Sequence, residues 1–515
     1  MNTTLPTRRH FAVAVLAALS SSAQAQTTWA GFEGTSQKNN FFLDGAFRPP
    51  DTMGAAGTTQ YLETTNGSVT VYDKSSGAVL SRVGANSFWT SKGQSGSAGD
   101  QRVLFDLYTN RWIMNGFCAN VAEVCIAVSD TDNALGTWKT TKIPVQGGIG
   151  VLDYPTLSVA QNGVLIGTNN FSAASAYLGN SLFSIPKADL FGGAPTVVNM
   201  TTFTTTTAQA DRGFSIQGAT NWQGSTGNSS NVFTASRDQF DVFAYKVNGV
   251  NAVAATQTAV VDLNRPAYTF NGSGRQPDTL PGAVNNTSNR LVDTLDDRVS
   301  ASVYEANGKI YGIHTVTPTG GSFTELRYYV LDAATLTTLS QGAISGGSFD
   351  YYQGSLAVNS FGDVIIGFNR SGSQTADLDL DGKADGRISF MGRVLKDNGL
   401  GALSQVGTDL MFRVSDVGDY RCGAQNTVDT ACRQRWGDYA AVTLDPSNSF
   451  KFWAIGEYAA PWDDFSSAQN GSLIRANWHT YIAAVTVVPE PGTYGLMALG
   501  LGMLSIAARR RRVMA

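Results

Sequence analysis

Short runs of alternating apolar and polar residues, joined in pairs by tight turns, recur along the whole chain. In one copy, Asp100 precedes the run 102–106, a four-residue turn follows, and a second run begins at Arg111. Alternation with a period of two predicts a strand with one buried face, so each pair predicts a β-hairpin. An aspartate opens every pair, and the pairs at Asp51 and Asp211 match more loosely than the other five. These aspartates are Asp51, Asp100, Asp153, Asp211, Asp297, Asp350 and Asp438.

The spacing of the seven aspartates indicates a repeat architecture. By subtraction, successive aspartates are 49, 53, 58, 86, 53 and 88 residues apart. About 50 residues of strands and turns per repeat is typical of a four-stranded propeller blade, and hairpins must pack against neighbours to bury a face. The sequence therefore predicts an all-β fold, a single seven-bladed β-propeller over residues 26–487. The two long intervals predict insertions at about 265–296 and 371–435, and we expect residues 29–33 to complete the last blade.

The first 25 residues predict a signal peptide. Arg8 and Arg9 precede an apolar run over 11–19, and Ala23-Gln24-Ala25 fits a cleavage site of the A-x-A type. The paired arginines also resemble a twin-arginine export signal, so the general and the twin-arginine export routes both remain open.

The last 28 residues, 488–515, combine three features in a fixed order. Pro489-Glu490-Pro491 precedes an apolar run over 494–508, and four arginines follow at 509–512. This tail resembles a PEP-CTERM sorting signal, in which the apolar run forms a transmembrane helix. The resemblance implies export across the inner membrane of a Gram-negative bacterium, transient anchoring, cleavage by an exosortase, and a final place at the cell surface or outside the cell. The run is shorter than the roughly 20 residues that span a bilayer, and a plain membrane anchor is the alternative.

Several motifs between the two ends resemble a group of bacterial exported propeller proteins without an established activity. They include Pro49-Pro50-Asp51-Thr52-Met53-Gly54, Cys125-Ile126-Ala127-Val128-Ser129 and Arg435-Trp436-Gly437-Asp438-Tyr439. The stretch from Ser129 to Trp138 resembles the Asp-box turn of sialidase-like propellers. In sialidases that turn is structural, so the resemblance implies a fold and no catalytic residues.

Charge and cysteine usage narrow the function classes. The net charge is −4 and no basic stripe lies outside the termini, which argues against nucleic-acid binding. The four cysteines fall into two close pairs, Cys118/Cys125 and Cys422/Cys432. In an exported chain such pairs predict two local disulfides, and free buried thiols are the alternative.

The second insertion contains a predicted calcium loop. Asp377, Asp379, Asp381 and Asp385 stand at positions 1, 3, 5 and 9, Gly382 allows a sharp turn at position 6, and the carbonyl of Lys383 would add a ligand. Hard oxygen ligands at this spacing favour Ca²⁺, which we expect to order the loop. A solvated acidic turn is the alternative.

The seven opening aspartates are predicted to form a ring at one mouth of the propeller channel. Carboxylates, guanidinium groups and aromatic rings together are typical of sugar-binding surfaces. An aspartate before a strand also commonly accepts backbone N–H groups in a turn, so structural, ligand-binding and catalytic roles all remain open. The neighbours that would line the ring are Arg102, Tyr154, Arg212, Arg298, Tyr351 and Tyr439.

Three functions follow from these observations. The favoured one is a surface-displayed propeller that binds exopolysaccharide or an envelope protein. The others are a glycan-active hydrolase or lyase that uses ring carboxylates, and a structural matrix protein. The sequence leans away from an enzyme, because His314 and His479 lie within strand-like runs and no Gly-x-Ser-x-Gly, HExxH or phosphate-loop motif occurs.

Overall fold

The computed structural model describes twelve stretches of the chain: 26–96, 99–118, 121–144, 146–205, 212–223, 227–236, 240–269, 272–277, 291–418, 420, 434–461 and 476–488. The predicted signal peptide, the sorting tail, Asp211, Cys422 and Cys432 lie outside these residues. Within them, no helix is long and apolar enough to cross a membrane. The fold is all-β, and its three short helices are α1 (Gln37–Phe41), α2 (Ala85–Thr90) and α3 (Lys187–Phe191).

Most described strands belong to antiparallel meanders, which we number in chain order. The first contains β2 (Met53–Ala56), β3 (Gln60–Thr65), β4 (Ser68–Asp73) and β5 (Val79–Gly84). The second contains β6 (Arg102–Asp106), β7 (Arg111–Cys118), β8 (Glu123–Ser129) and β9 (Trp138–Ile143). The third contains β10 (Val151–Asp153), β11 (Ser158–Val159), β12 (Gly163–Phe171), β13 (Tyr177–Pro186) and β14 (Thr201–Thr204).

The fourth and fifth meanders are joined by parallel pairing of their first strands. The fourth contains β15 (Phe214–Asn221), β16 (Ser229–Ala235), β17 (Val242–Asn248), β18 (Thr256–Gln257) and β19 (Val261–Asp262). The fifth contains β23 (Val303–Ala306), β24 (Lys309–Pro318), β25 (Glu325–Asp332) and β26 (Thr338–Ile344), and β20 (Tyr268–Thr269) pairs with β24. Its first hairpin closes through Asn307 and Gly308 at φ 54° and 71°, the left-handed conformations that a two-residue turn requires.

The sixth meander contains β27 (Asp350–Val358), β28 (Asp363–Ser371), β29 (Ser389–Asp397), β30 (Leu403–Gln405) and β31 (Leu410–Val414). The seventh contains β33 (Ala441–Asp445), β34 (Asn448–Pro461), β35 (Ala476–Val488) and β1 (Gln26–Ser36), which lies beside β35. The prediction that an N-terminal strand completes the last repeat is therefore confirmed.

The hydrophobic core lies between successive meanders. One cluster joins the first and second meanders, where Trp112 packs edge-on against Phe105 with ring centroids 4.9 Å apart. Others join the second to the third, the third to the fourth, the fourth to the fifth, and the seventh to the first. Because neighbours cover both faces of an inner strand, all five residues of β6 are buried, whereas the outer strand β26 alternates between exposed and half-buried positions.

The first strands of the meanders contact one another in chain order. In the third meander, β10 and β11 both pair with β12, and β11 makes these contacts. β2 contacts β6, β6 contacts β11, and the contacts continue through β15, β23, β27 and β33 back to β2. The residues that precede these strands, where the predicted aspartates stand, are thereby brought towards one end of the first strands.

The predicted insertions differ from the structure in extent. The range 371–435 was too long, because β29, β30 and β31 are regular outer strands of the sixth meander. From the two predicted insertions, β21 (Ser273–Gly274), β22 (Val292–Asp293) and β32 (Gln434–Arg435) form one small sheet. Reciprocal hydrogen bonds between Gln276 and Tyr420, of 2.6 and 3.0 Å, hold the two segments together.

Candidate functional site

Carboxyl groups from several meanders converge where the first strands begin. We call this group the acidic cluster; it consists of Asp51, Asp100, Asp153, Asp296, Asp438, Arg102, Arg298, Arg435, Tyr154 and Tyr439. Asp51, Asp100 and Tyr154 have φ angles of 53°, 50° and 57°. This left-handed conformation is uncommon outside glycine and is tolerated best by aspartate and asparagine. Three chain segments therefore turn sharply just before their first strands.

Asn66, in the turn between β3 and β4, binds two aspartates of the cluster. Its side-chain Nδ2 donates to Asp51 Oδ2 at 2.7 Å, and its side-chain Oδ1 accepts from the backbone N–H of Asp100 at 2.9 Å. The backbone N–H of Asp438 donates to Asp51 Oδ1 at 3.2 Å, and the Tyr439 hydroxyl donates to Asp100 Oδ2 at 2.9 Å. The cluster therefore ties the first, second and seventh meanders together.

Buried aromatic rings and Arg102 lie beneath the carboxyl groups. The rings of Tyr154 and Tyr439 meet edge-to-face with centroids 4.7 Å apart, and the Tyr154 hydroxyl donates to the backbone carbonyl of Asp438 at 2.7 Å. The Arg102 guanidinium lies 4.2 Å from the Tyr439 centroid, and its Nη1 donates to Gln217 Oε1 at 3.4 Å. These residues are almost completely buried, so they shape the cluster from inside.

Two arginine–carboxylate pairs lie at the more exposed side of the cluster. Arg435 Nη2 lies 2.6 and 2.7 Å from the two carboxylate oxygens of Asp438. Arg298 donates from Nε and Nη2 to the two oxygens of Asp296, both at 2.6 Å, and its guanidinium lies 4.4 Å from the Tyr154 centroid. The Arg435 side chain is 37% exposed, so part of this pair is open to a ligand.

Burial raises the pKa of three cluster carboxyls. The pKa of Asp100 rises to about 7, first because the carboxyl is desolvated and then because Asp153 and Asp438 repel its charge. Desolvation is also the first cause of the raised pKa of Asp51, with Asp438 and Asp100 contributing repulsion. The pKa of Asp153 is raised by desolvation, and Arg298 acts in the opposite direction. Protonated carboxyls can donate hydrogen bonds as well as accept them.

Four of the residues predicted to line the ring make their contacts elsewhere. Asp297 accepts from the Tyr268 hydroxyl at 2.9 Å, and desolvation first, then repulsion by Asp296, raises its pKa to about 8. Asp350 is buried and pairs with Arg275 at 2.9 Å. Arg212 donates to the Thr258 carbonyl at 3.0 Å, and the Tyr351 hydroxyl donates to that of Gly346 at 3.3 Å. Asp211 lies outside the described residues.

Sequence reasoning missed three residues that organise the cluster. Arg435 was part of the motif Arg435-Trp436-Gly437-Asp438-Tyr439, but only the last two residues were assigned to the ring. Asp296 directly precedes Asp297, and the repeat pattern selected the second of the pair. Asn66 stands in an Asn-Gly turn outside the hairpin pairs, and its reach to Asp51 depends on the fold.

The predicted calcium loop brings three carboxylates together. One oxygen from each of Asp377, Asp379 and Asp385 lies within 4.8 Å of the others. Asp381 is not part of this group, and its Oδ1 accepts the backbone N–H of Lys383 at 2.8 Å. The Lys383 ammonium pairs with an oxygen of Asp416 at 3.0 Å, which anchors the loop beside the sixth meander.

The first predicted disulfide is present in the structure. Cys118 and Cys125 are joined with an S–S distance of 2.09 Å and link β7 to β8. The predicted partner pair, Cys422 and Cys432, lies outside the described residues.

Comparisons with known proteins support the sorting signal and leave activity open. No curated protein matches the chain. A protein of unknown function from Dyadobacter fermentans has 8% identity and a TM-score of 0.40, and the alignment covers 89% of this chain and 99% of that one. An α-L-arabinanase from Penicillium chrysogenum has 8% identity and a TM-score of 0.33, with coverages of 88% and 98%. An endo-1,4-β-xylanase from Bacteroides thetaiotaomicron has 9% identity and a TM-score of 0.29, with coverages of 61% and 95%.

These structural similarities are too weak to carry an argument about function. The C-terminal match is of a different kind, because it covers the three features that the sequence places in order at the end of the chain. Residues 487–512 match the PEP-CTERM protein-sorting motif. The chain therefore carries a PEP-CTERM sorting motif, which implies export, exosortase processing and sorting to the cell surface.

Proposed function

We propose that this protein is an exported, surface-associated binding module for extracellular polysaccharide, and that the acidic cluster is its binding site. The observation that carries the proposal is the convergence of two arginine–carboxylate pairs, one of them partly exposed through Arg435, with carboxyls of raised pKa. Sugar hydroxyls both donate and accept hydrogen bonds, so a surface that offers charged acceptors, guanidinium donors and protonated carboxyls suits them.

We also propose that the meanders are the blades of one seven-bladed propeller. The cyclic order of contacts among the seven first strands supports this arrangement, since the last of them contacts the first. In such a ring the acidic cluster would stand at one mouth of the central channel. The likeness to sialidase-like propellers would then concern architecture alone.

The sorting motif supports a location of this proposed module at the cell surface. We propose a Gram-negative host, a transient membrane anchor over 494–508, and release or reattachment after exosortase cleavage near Pro489-Glu490-Pro491. The order of motif, apolar run and arginines supports this sequence of events. An envelope protein is the alternative ligand for the exposed module.

A glycan-active enzyme is the second candidate function. It is favoured by the pKa of Asp100, about 7, beside other carboxyls, because a glycosidase requires one carboxyl that keeps its proton near neutral pH and one that is ionised. A structural matrix protein, with no discrete ligand, is the third.

One experiment separates the three candidates. The exported protein, purified from the cells that make it, is mixed with the extracellular polysaccharide of those cells, and both the bound fraction and new reducing or unsaturated ends are recorded. Retention without new ends is the expected result. New ends would show that the protein is an enzyme and not a binding module. If the protein is not retained and no new ends form, a matrix role or a protein partner remains.

Calcium is proposed as a structural ion for the loop 377–385. The three grouped carboxylates support it, and the geometry distinguishes them from Asp381. We expect calorimetry to detect calcium binding that Asp385→Asn removes and that Asp381→Asn, the matched control, weakens much less. Equal losses in the two variants would contradict the arrangement, and the absence of binding to the unmodified protein would make the loop a solvated turn.

A further inference from the structure

Four exposed apolar side chains stand at the end of α1 and in the segment that leads along the chain to Asp51 of the acidic cluster. Phe41 and Phe42 are 48% and 66% exposed, and Leu43 and Phe47 are each 39% exposed. The Phe41 and Phe42 rings meet edge-on with centroids 5.3 Å apart. We call these four residues the phenylalanine patch. Contiguous exposed apolar groups of this kind mark interaction surfaces.

The backbone of the patch is held rigidly although its side chains are exposed. The carbonyl oxygen of Asn40 accepts the N–H groups of Leu43, Asp44 and Gly45 at 3.0, 2.9 and 2.9 Å. The Asp44 carboxylate accepts the backbone N–H of Asn86 at 2.7 Å. A segment fixed in this way loses little conformational freedom when a ligand binds, so less of the interaction free energy is lost.

Further bonds fix the end of the patch beside the acidic cluster. The indole of Trp478 donates to the Phe47 carbonyl at 2.9 Å. Asn66, which binds Asp51, also donates from its side chain to the Pro49 carbonyl at 3.0 Å and from its backbone to the Pro50 carbonyl at 2.7 Å. One asparagine therefore holds both the end of the patch segment and a cluster carboxyl.

We propose that the phenylalanine patch is a stacking subsite for the sugar rings of the same polysaccharide chain whose hydroxyls contact the acidic cluster. This inference rests on the proposed function and extends it. The faces of a sugar ring expose C–H groups and pack on aromatic rings, whereas its edges carry hydroxyls. A polysaccharide can satisfy the apolar patch and the polar cluster together.

A lipid surface fits the patch less well. Lys38 and Arg48 lie near it in the chain, but Asp44 stands between them. Membrane-binding patches combine apolar groups with a clear excess of basic residues, which this segment lacks.

The test compares variants of the full exported protein. Phe41→Ala/Phe42→Ala removes both rings, Phe41→Tyr/Phe42→Tyr keeps them, and Leu400→Ala alters a residue that is 78% exposed in the turn between β29 and β30. Binding is measured to the extracellular polysaccharide of the producing cells and, separately, to phosphatidylethanolamine–phosphatidylglycerol vesicles. Melting temperatures confirm that each variant is folded.

The expected result is about tenfold weaker polysaccharide binding for the alanine pair, and unchanged binding for the tyrosine pair and for Leu400→Ala. If the alanine pair binds the polysaccharide as tightly as the unmodified protein, the subsite is wrong and the proposed function stands. If it loses vesicle binding alone, the patch is a lipid contact. If the unmodified protein does not bind the polysaccharide, the subsite and the proposed function both fail.

Discussion

Asn66 donates to the Asp51 carboxyl and accepts from the backbone N–H of Asp100. Hydrogen bonds of this kind explain how buried carboxyls can be held close together. Each carboxyl loses hydration when it is buried, and like charges nearby raise the free energy of the ionised form further. The protein offsets part of this cost with the amide of Asn66, the hydroxyl of Tyr439 and the two arginine pairs. Protonation offsets the rest, so the cluster changes charge near neutral pH.

The pKa of Asp100 makes the stability of the fold depend on pH. Its ordinary value of 3.8 rises to about 7, so from about pH 4 to pH 7 the folded protein holds a proton that the unfolded chain has lost. The free energy of unfolding should therefore fall as the pH rises through this window. The Asp100 residue as a whole is half-buried, so solvent screens part of this effect, and we expect a loss on the order of 1–2 kcal/mol.

Asp100→Asn tests this pH dependence, because asparagine still accepts the Tyr439 hydrogen bond but cannot titrate. We expect urea unfolding at several pH values to give a shallower loss of stability for this variant than for the unmodified protein. Asp132→Asn, at an exposed position, is the control. If the free energy of unfolding falls with pH equally steeply for Asp100→Asn and for the unmodified protein, the raised pKa of Asp100 is contradicted.

Individual residues show how far the sequence could define the site. The repeat pattern identified four aspartates of the cluster, because each stands before a first strand whose position follows from local alternation. It could not separate Asp296 from Asp297. The two neighbours differ by one position, yet Asp296 binds Arg298 in the cluster and Asp297 binds Tyr268 outside it. Arg435 stands three residues before Asp438 and outside the run of strand residues that the repeat pattern recognises, so the pattern did not select it.

At the scale of elements, a buried network joins the two ends of the fold. Glu63 on β3 accepts from the Tyr72 hydroxyl on β4 and from the Thr480 hydroxyl on β35, both at 2.5 Å. It also accepts from the Thr35 hydroxyl on β1 at 2.9 Å. One buried carboxylate thereby binds the strand that begins the fold, the strand that ends it and the first meander.

Replacing Glu63 should therefore destabilise the closing sheet. Glu63→Ala removes the charged acceptor that three buried hydroxyls share, and we expect a loss of roughly 3 kcal/mol or more in the free energy of unfolding. Urea denaturation measures this loss. Glu123→Ala, which breaks the surface pair between Glu123 and Lys142, is the control and should cost at most about 1 kcal/mol. Similar losses in the two variants would show that the network does not hold the closing sheet.

The elements themselves were more predictable than their long-range pairing. Hairpins follow from alternation and turn residues a few positions apart, so the first two strands of the meanders were anticipated. The outer strands β30 and β31 are short and partly exposed, which weakens alternation, and the range 371–435 was therefore predicted as an insertion. The pairing of β22 with β32 joins residues more than 140 positions apart and has no local signal.

At the scale of the whole molecule, the chain combines an all-β fold with a signal for sorting to the cell surface. The acidic cluster gathers residues from the first, second, third and seventh meanders and from both predicted insertions, so it forms only when distant parts of the chain have packed. The phenylalanine patch adds an apolar surface in the segment that leads to Asp51. A polysaccharide that contacts both would bind the folded exported protein and not its separate segments.

The most direct test of this account is the affinity of the exported protein for the extracellular polysaccharide of its own cells, measured for matched arginine variants. Arg435→Gln breaks the exposed pair in the acidic cluster. Arg393→Gln breaks a comparable pair with Asp409, at 2.7 and 2.8 Å, on β29. We expect about tenfold or greater weakening for Arg435→Gln alone. Equal affinities for the two variants, or no affinity of the unmodified protein, would contradict the acidic cluster as the binding site.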